Sequence, residues 1–422
     1  MSSKAMEVRD AAGSYVLQAE QEVPPGYKRT EVGVIPVDWK TIELEKVSDF
    51  ITKGSTPTTY GFKWETEGVL FLRSECVSES GLDLEQSMFI SRDAHALLRR
   101  SEVHDGDILV TITGNVGRVV YLSGIGAANI NQHIARIRVT SPSADTKYVF
   151  HYLSQESVRR YFSKITTGQA YPQISLEQVR ETEIPIPPLD EQHAIATALS
   201  DVDALITALD KLIAKKRAIK TAAMQQLLTG KTRLPGFSGE WETKRFDEVL
   251  IRLNGKNYQI QTSQYGDIGK YPVIDQGKGA IIGYCDREDK RFRCPDDGLI
   301  VFGDHTCITK FVDFDFVVGA DGTQLLQAKK GYSTKFLAYQ LQHEGIEPTG
   351  YNRHFKFLKE RVFYVPAIEE QSAIAQVLSD MDAEIAALEA RRDKTRAIKQ
   401  SMMQQLLTGR VRLVKPGSKE AA

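Results

Sequence analysis

Long apolar runs are missing from the 422 residues: nowhere do eighteen apolar side chains follow one another, so no membrane-spanning helix is expected. The opening MSSKAMEVRD has no apolar stretch of the kind that directs secretion. Cysteine is scarce. The four present (Cys76, Cys285, Cys294, Cys307) form no Cys-x-x-Cys pair, which speaks against a disulfide frame and for a reducing compartment, the cytoplasm. An excess of one charge is lacking too, since 54 Lys and Arg meet 55 Asp and Glu for a net −1. That removes the overall basic signature of nucleic-acid binding, so any such contact must come from local patches. What is present, 41% hydrophobic and 26% charged residues, is ordinary for a chain of two or three folded domains.

The informative feature is a duplication. LDEQHAIATALSDVDALITALDKLIAKKRAIKTAAMQQLLTG, ending at Gly230, returns as IEEQSAIAQVLSDMDAEIAALEARRDKTRAIKQSMMQQLLTG, ending at Gly409, at a constant offset of 179 residues. From Pro187 on, 28 of 48 positions are shared without a gap. Ala, Leu, Gln and Lys favour helix, Asp190 is a plausible N-cap, and Gly230 stands where a left-handed residue ends a helix. Apolar residues recur in steps of four and three: Ile195, Leu199, Val202, Ile206, Leu209, Ile213, then again Ile374, Leu378, Met381, Ile385, Leu388. That is a narrow coiled-coil seam, on helices of roughly 60 Å each. It fails in the second copy at Arg392, beyond which both copies run basic. The near-identity of the copies argues that they pair with each other as an antiparallel coiled coil.

Ahead of each copy the chain reads as short strands and turns. Val69 to Leu72, Ile108 to Ile112 after Asp105-Gly106-Asp107, Val119 to Leu122, and His133 to Val139 predict strands, and Thr146 to Phe162 predicts one amphipathic helix. Trp241 answers Trp39, Asp297-Gly298-Leu299-Ile300-Val301 answers Asp105 to Val110, and Thr334 to Gln342 answers the Thr146 helix. The expected fold class is α+β, with two globules each followed by a long helix. The divisions are a polar, partly helical extension (1–25), a first globule (26–186), a central helix (187–230), a second globule (231–364), a second helix (365–409) and a polar tail (410–422).

These residues carry a resemblance. Ile184-Pro185-Ile186-Pro187-Pro188-Leu189-Asp190-Glu191-Gln192 and Met224-Gln225-Gln226-Leu227-Leu228-Thr229-Gly230, each with its second copy, resemble the specificity subunit of Type I restriction–modification enzymes. Gly26 to Pro36 followed by Trp39, the loop Lys53-Gly54-Ser55-Thr56-Pro57, and Leu253-Asn254-Gly255-Lys256-Asn257-Tyr258 are similar to recurrent patterns of that family. The resemblance covers nearly everything after residue 25. It implies two target recognition domains, each reading half of a split duplex DNA site, with the paired helices as spacer. It also implies two methyltransferase (modification) subunits as partners and restriction/translocase subunits in the full complex. S-adenosylmethionine, ATP and Mg²⁺ would sit on those partners, none on this chain. In the second domain Gly303-Asp304-His305-Thr306-Cys307 departs from the usual glycine-rich turn.

A split site demands two readers at a fixed separation, because a base contact displaced by one pair meets the wrong edge. Glycine-bounded polar loops are the expected readers, since glycine lets backbone approach a groove. In the first domain these are Lys53, Ser55, Thr56, Arg73, Ser74, Thr113, Asn115, Arg118, Asn131, Gln132, Thr166, Thr167, Gln169 and Tyr171. In the second they are Lys256, Asn257, Tyr258, Gln276, Lys278, His305, Thr306, Lys310, Gln324, Tyr351, Asn352, Arg353, His354 and Lys356. Gln225, Gln226 and Leu227, with Gln404, Gln405 and Leu406, are the expected docking residues for partner helices.

Catalytic signatures are absent. Gly230-Lys231-Thr232 ends like a P-loop, but Gln225 occupies the place of its first glycine. Gly124-Ile125-Gly126 lacks the third glycine of a dinucleotide fingerprint, and Glu288-Asp289-Lys290 beside Pro295-Asp296 has nuclease-like letters in the wrong order. Cys285, Cys294, His305 and Cys307 fit no compact zinc site, so no metal is expected. Both Pro-Pro pairs follow Val23 or Ile186, so the Asn-Pro-Pro-aromatic loop of amino-group DNA methyltransferases is missing. The chain therefore reads as a non-catalytic DNA-recognition subunit. A coiled-coil protein–protein scaffold without DNA contact is the alternative, with near-neutral charge as its support.

Overall fold

A computed structural model of the chain describes residues 9–10, 13–14, 23–79, 81–168, 170–319, 322–347 and 352–414. It divides into two compact units, Met1–Thr207 with Asp393–Ala422, and Ala208–Arg392. Arg9–Asp10 pairs with Gly13–Ser14 as strands, where the sequence suggested a partly helical extension.

In the first unit, apolar β-branched runs build two four-stranded sheets. One orders Thr52–Lys53, Ile134–Ile137, Ile108–Thr111 and Val119–Tyr121, antiparallel throughout. The other orders Glu102–Val103, Ala128–Ile130, Val69–Leu72 and Met88–Ile90, with its central pair parallel. Ile108–Thr111 and Ile134–Ile137 are buried along their whole length, as continuous apolar strands covered on both faces must be. The single helix expected over Thr146 to Phe162 is two, Thr146–Leu153 and Glu156–Ile165. Ser154 Oγ donates back to Phe150 O at 2.7 Å and Gln155 is extended, so the chain turns and restarts there.

The second unit repeats this plan. Leu250–Leu253, Thr323–Ala328, Leu299–Gly303 and Thr309–Val312 form the antiparallel sheet. Arg291–Phe292, Phe316–Val318, Tyr271–Ile274 and Gly283–Cys285 form the other, again with a parallel central pair. In each unit a two-stranded ribbon joins the globule's beginning to its end: Lys40–Glu43 with Glu183–Ile186, and Glu242–Arg245 with Val362–Val365.

The long helices are Leu189–Leu227 and Ile368–Leu406. The first begins one residue before Asp190, so Asp190 lies in its first turn; Pro188 O accepts from Glu191 N and Gln192 N at 3.0 Å instead. Gly230 (φ 67°) and Gly409 (φ 68°) adopt the expected left-handed conformation. The helices run antiparallel. In the first unit Lys399 reaches Asp203 at 2.6 Å. In the second, Arg392 reaches Asp210 (3.5 Å), Lys216 reaches Glu384 (2.6 Å), Lys220 reaches Asp382 (2.5 Å) and Arg217 pairs with Glu389. Arg392, the residue that interrupts the apolar seam, is thus a cross-helix ion-pair partner.

Each end of the duplicated segment is clamped to a globule. In the first unit, buried Glu191 receives Arg412 at 2.5 Å and Trp39 Nε1 at 3.2 Å, while Arg412 also grips Asp38 and lies 5.6 Å from the centre of the Trp39 ring. In the second, buried Glu370 receives Arg233 at 2.5 and 2.6 Å beside Trp241, whose own Nε1 is buried without a partner. The next residue works the same way twice. Gln192 accepts from Asp145 N and donates to Ser143 O and Pro187 O; Gln371 accepts from Ser333 N and donates to Pro366 O. The repeated Glu-Gln therefore ties a helix start to the start of a globule helix, satisfying backbone groups that burial would otherwise leave unpaired. Ile195 and Leu199 share a core with Trp39, Leu406 and Leu407, and Ile374 and Leu378 share one with Phe336, Leu227 and Leu228.

Candidate nucleic-acid interface

Four loops of the first unit meet at one end of the antiparallel sheet. Gly54 packs where a Cβ would stand 1.7 Å from Ile130 O, and its N–H donates to Asn131 O at 3.1 Å. Thr56 Oγ1 donates to Gln132 Oε1 at 2.5 Å, and Gln132 Nε2 donates to His133 Nε2 at 3.1 Å. The His133 ring meets Tyr171 edge-on, with ring centres 6.2 Å apart. Gly114 N donates to Pro172 O, Thr113 pairs with Gln173, and Thr167 pairs with Gln173 as well. Loops 53–57, 111–118, 131–133 and 166–173 so form one surface, with Lys53, Asn115, Thr167 and Tyr171 exposed on it. Ser55 is half-buried beside them.

Several expected readers are occupied inside the fold. Asn131 is buried and its Oδ1 accepts from His133 N. Thr166 Oγ1 donates to Ser163 O at the end of its helix. Arg73 gives its guanidinium to Gln86 O at 2.9 and 3.2 Å, Ser74 Oγ donates to Glu75, and both follow Leu72, whose carbonyl accepts from Asn131 N. Arg118 is half-buried with Nε unpartnered. Gln169 and Tyr351 lie outside the described residues.

The second unit gathers the equivalent loops around Asp304. This buried aspartate donates its N–H to Gly322 O, accepts His354 N and His354 Nδ1 at its carbonyl, and accepts Phe355 N and Gln324 Nε2 at its carboxylate. Gln276 Oε1 accepts from His305 N, Gln276 O accepts from Thr306 Oγ1, and His305 Nδ1 lies 3.2 Å from Asn352 O. Cys307 adopts φ 58°, a left-handed conformation that glycine holds at the corresponding turn of the first unit in Gly117. Beside this hub opens a cleft of about 630 Å³ lined by Arg252, Asn254, Lys256, Gln324 and Arg353 among others. Lys256, Asn257, Lys278, Asn352, Arg353 and Lys356 are exposed.

Three residues expected on this surface point elsewhere. His354 is fully buried, its ring holding Asp304 O; it fastens the loop from beneath. Tyr258 stacks edge-on against Phe292 in a core. Lys310 Nζ donates to Asp275 O and Gly279 O, and burial lowers its pKa. Arg252 and Asn254 line the cleft without being among the expected readers. Asn254 belongs to the same glycine-bounded loop as Lys256, and that was its signal; Arg252 sits on a strand, where side-chain direction depends on register. Leu227 and Leu406 correct the docking expectation, since each lies in a core of the chain's own. Gln225, Gln226 and Gln404 are exposed and Gln405 half-buried, with Gln226 Oε1 accepting from Thr232 Oγ1.

Comparison with known proteins extends this geometry. A family model described as the Type I restriction modification DNA specificity domain matches residues 36–220 and again 238–396. A putative type I restriction enzyme MjaX specificity subunit of Methanocaldococcus jannaschii is 24% identical across 92% of this chain and 97% of its own. The EcoBI specificity subunit of Escherichia coli is 23% identical across 53% of this chain and 46% of its own. Among solved structures, the S subunit of a type I restriction–modification system from M. genitalium superimposes with a TM-score of 0.60 at 14% identity, covering 92% of this chain and 98% of that one. At that identity the likeness establishes the fold.

Proposed function

The chain belongs to the Type I restriction–modification DNA specificity family, with two copies of its domain, and we propose that each copy reads one half of a bipartite duplex site. The observation that carries this reading is the pair of globules with one sheet order and unlike loops. The scaffold is repeated while the polar residues at its loop ends are not, as two different half-sites require. Exposed Lys53, Asn115 and Tyr171 in one unit, and Lys256, Arg353 and Lys356 in the other, supply phosphate and base contacts.

In this reading the chain performs no chemistry of its own. Two methyltransferase subunits dock on it, contacting the exposed glutamines Gln225, Gln226 and Gln404, and restriction/translocase subunits join the complete complex. S-adenosylmethionine, ATP and Mg²⁺ belong to those partners, and the assembly works in the cytoplasm. Among the described residues no helix is long and apolar enough to cross a membrane.

Mapping methylated bases in the genome of cells that express this chain with its methyltransferase tests the proposal. A motif of two defined halves around an unspecified spacer is expected. Replacing residues 238–364 with the corresponding domain of another family member should change one half and leave the other. A motif that survives the replacement intact would refute the division of labour.

A further inference from the structure

The loop that follows Tyr271–Ile274 is closed at its neck by a side chain from the other sheet. Lys310, on Thr309–Val312, sets its ammonium between two carbonyls, donating to Asp275 O at 2.8 Å and to Gly279 O at 2.6 Å. The neighbouring hairpin holds the same loop again. Gln276 O accepts from Thr306 Oγ1 at 2.6 Å, and Gln276 Oε1 accepts from His305 N at 3.1 Å. Within the loop Asp275 Oδ1 accepts from Gly277 N at 2.6 Å, and a Cβ on Gly277 would stand 2.9 Å from that oxygen, closer than the two atoms ordinarily approach. At the apex stands Lys278, exposed, with no ion pair or hydrogen bond among the described residues.

Burial works against the Lys310 charge, so this is a costly place for a lysine. The scaffold does not require one. The matching strand of the first unit, Val119–Tyr121, carries two valines and a tyrosine and no charge. The repeated plan therefore keeps the strand and changes this residue, as it changes the loops. A lysine is a point charge without bidentate geometry, which suits a phosphate better than a base edge. On a mobile loop it would lose backbone as well as side-chain freedom on binding; on a clamped loop the backbone is already ordered. We infer that Lys278 contacts a DNA phosphate at the second half-site and that Lys310 is its positioning residue, acting on DNA only through the loop it closes. This rests on the DNA-reading role proposed above.

The test uses the whole chain in complex with its methyltransferase subunits. Trypsin cuts after Lys278 only when the loop opens, so digestion without DNA reports on the clamp itself. Lys310→Met should speed that one cut about tenfold, the worth of a hydrogen bond to a charged group, and leave the other fragments unchanged apart from the lost site at 310. On duplexes carrying the mapped motif, Lys278→Ala should weaken binding about tenfold at 0.1 M salt and lower the salt slope by about one, the counterion release of a single phosphate. Lys310→Met should weaken binding too, yet add nothing in the double variant, whose affinity and slope should match those of Lys278→Ala alone. Any of four results overturns the inference. Lys278→Ala binds as tightly as the parent; the cut after Lys278 is no faster in Lys310→Met; Lys310→Met is digested throughout, which makes Lys310 a residue of the fold; or the two losses add and the slope falls by about two, which gives Lys310 a phosphate of its own. If the unaltered complex binds all duplexes alike, the DNA-reading proposal itself fails, and the digest made without DNA still judges the clamp.

Discussion

Two residues of the first unit set measurable stabilities. Glu191 is 1% exposed and depends on Arg412 for its counter-charge, so Arg412→Ala leaves a carboxylate buried with only the Trp39 N–H. We expect a loss of roughly 2–4 kcal/mol, seen as a lower urea midpoint, and partial recovery in the double variant with Glu191→Gln. Arg412 also donates to Asp38, and that hydrogen bond holds the Asp38 carboxyl below its usual range. His151 acts in the other direction. Its Nε2 bonds Ser200 Oγ at 3.1 Å, while Asp203 lies 3.9 Å from Nδ1 and is claimed by Lys399 at 2.6 Å. Burial therefore prevails, and the imidazole pKa falls to about 3. The folded ring stays neutral, whereas an unfolded one protonates below about pH 6.5. Stability should thus be complete above that pH and decline by about 1.4 kcal/mol per unit as pH drops toward 3. Unfolding midpoints of the parent and His151→Gln, measured at pH 7.5 and 5, should diverge at the lower pH; parallel curves would contradict the assignment.

At the scale of elements, the pairing of the long helices follows from charge laid along them. Each copy is acidic in its first half and basic in its second, so antiparallel packing sets opposite signs together and parallel packing would set like signs together. That signal was available in the sequence beside the near-identity of the copies, and it supplies the orientation that period alone lacks. Lys220, held by Asp382 and lying 5.2 Å from the Tyr339 ring centre, is the sharpest place to test it. Lys220→Ala should cost about 0.2–1 kcal/mol, Lys220→Glu more, and the exchange Lys220→Asp with Asp382→Lys should recover part of the loss in a double-mutant cycle. The strands and the duplicated plan were also legible, because turn glycines and β-branched runs are local. The break at Ser154-Gln155 was not, since both residues are compatible with helix and only a back-bonded hydroxyl ends it. Nor could spacing reveal that the repeated Glu-Gln is a clamp, whose partners outside the helix start lie 38 to 221 residues away. Among candidate readers the loops were legible as sets. His354, Tyr258 and Lys310 turn inward, because a polar side chain in a loop can face the core as readily as solvent.

For the whole molecule, continuous helices of 39 residues carry the proposed role as a ruler. Inserting one turn in both adds about 5.4 Å against 3.4 Å per base pair, so the unspecified spacer of the methylated motif should lengthen by one or two pairs. Genomic methylation mapping of the insertion variant would show it, and an unchanged spacer would exclude the helices as the measure of distance. The composition of the first unit has a further consequence. It joins Met1–Thr207 to Asp393–Ala422, and its Glu191 waits for Arg412. On the ribosome, the segment that completes this unit follows roughly 10–40 s after residue 207 at ordinary elongation rates. Until then the nascent first globule carries an unanswered buried carboxylate and an uncovered apolar face, and early termination would release a polypeptide fit for chaperones or proteases.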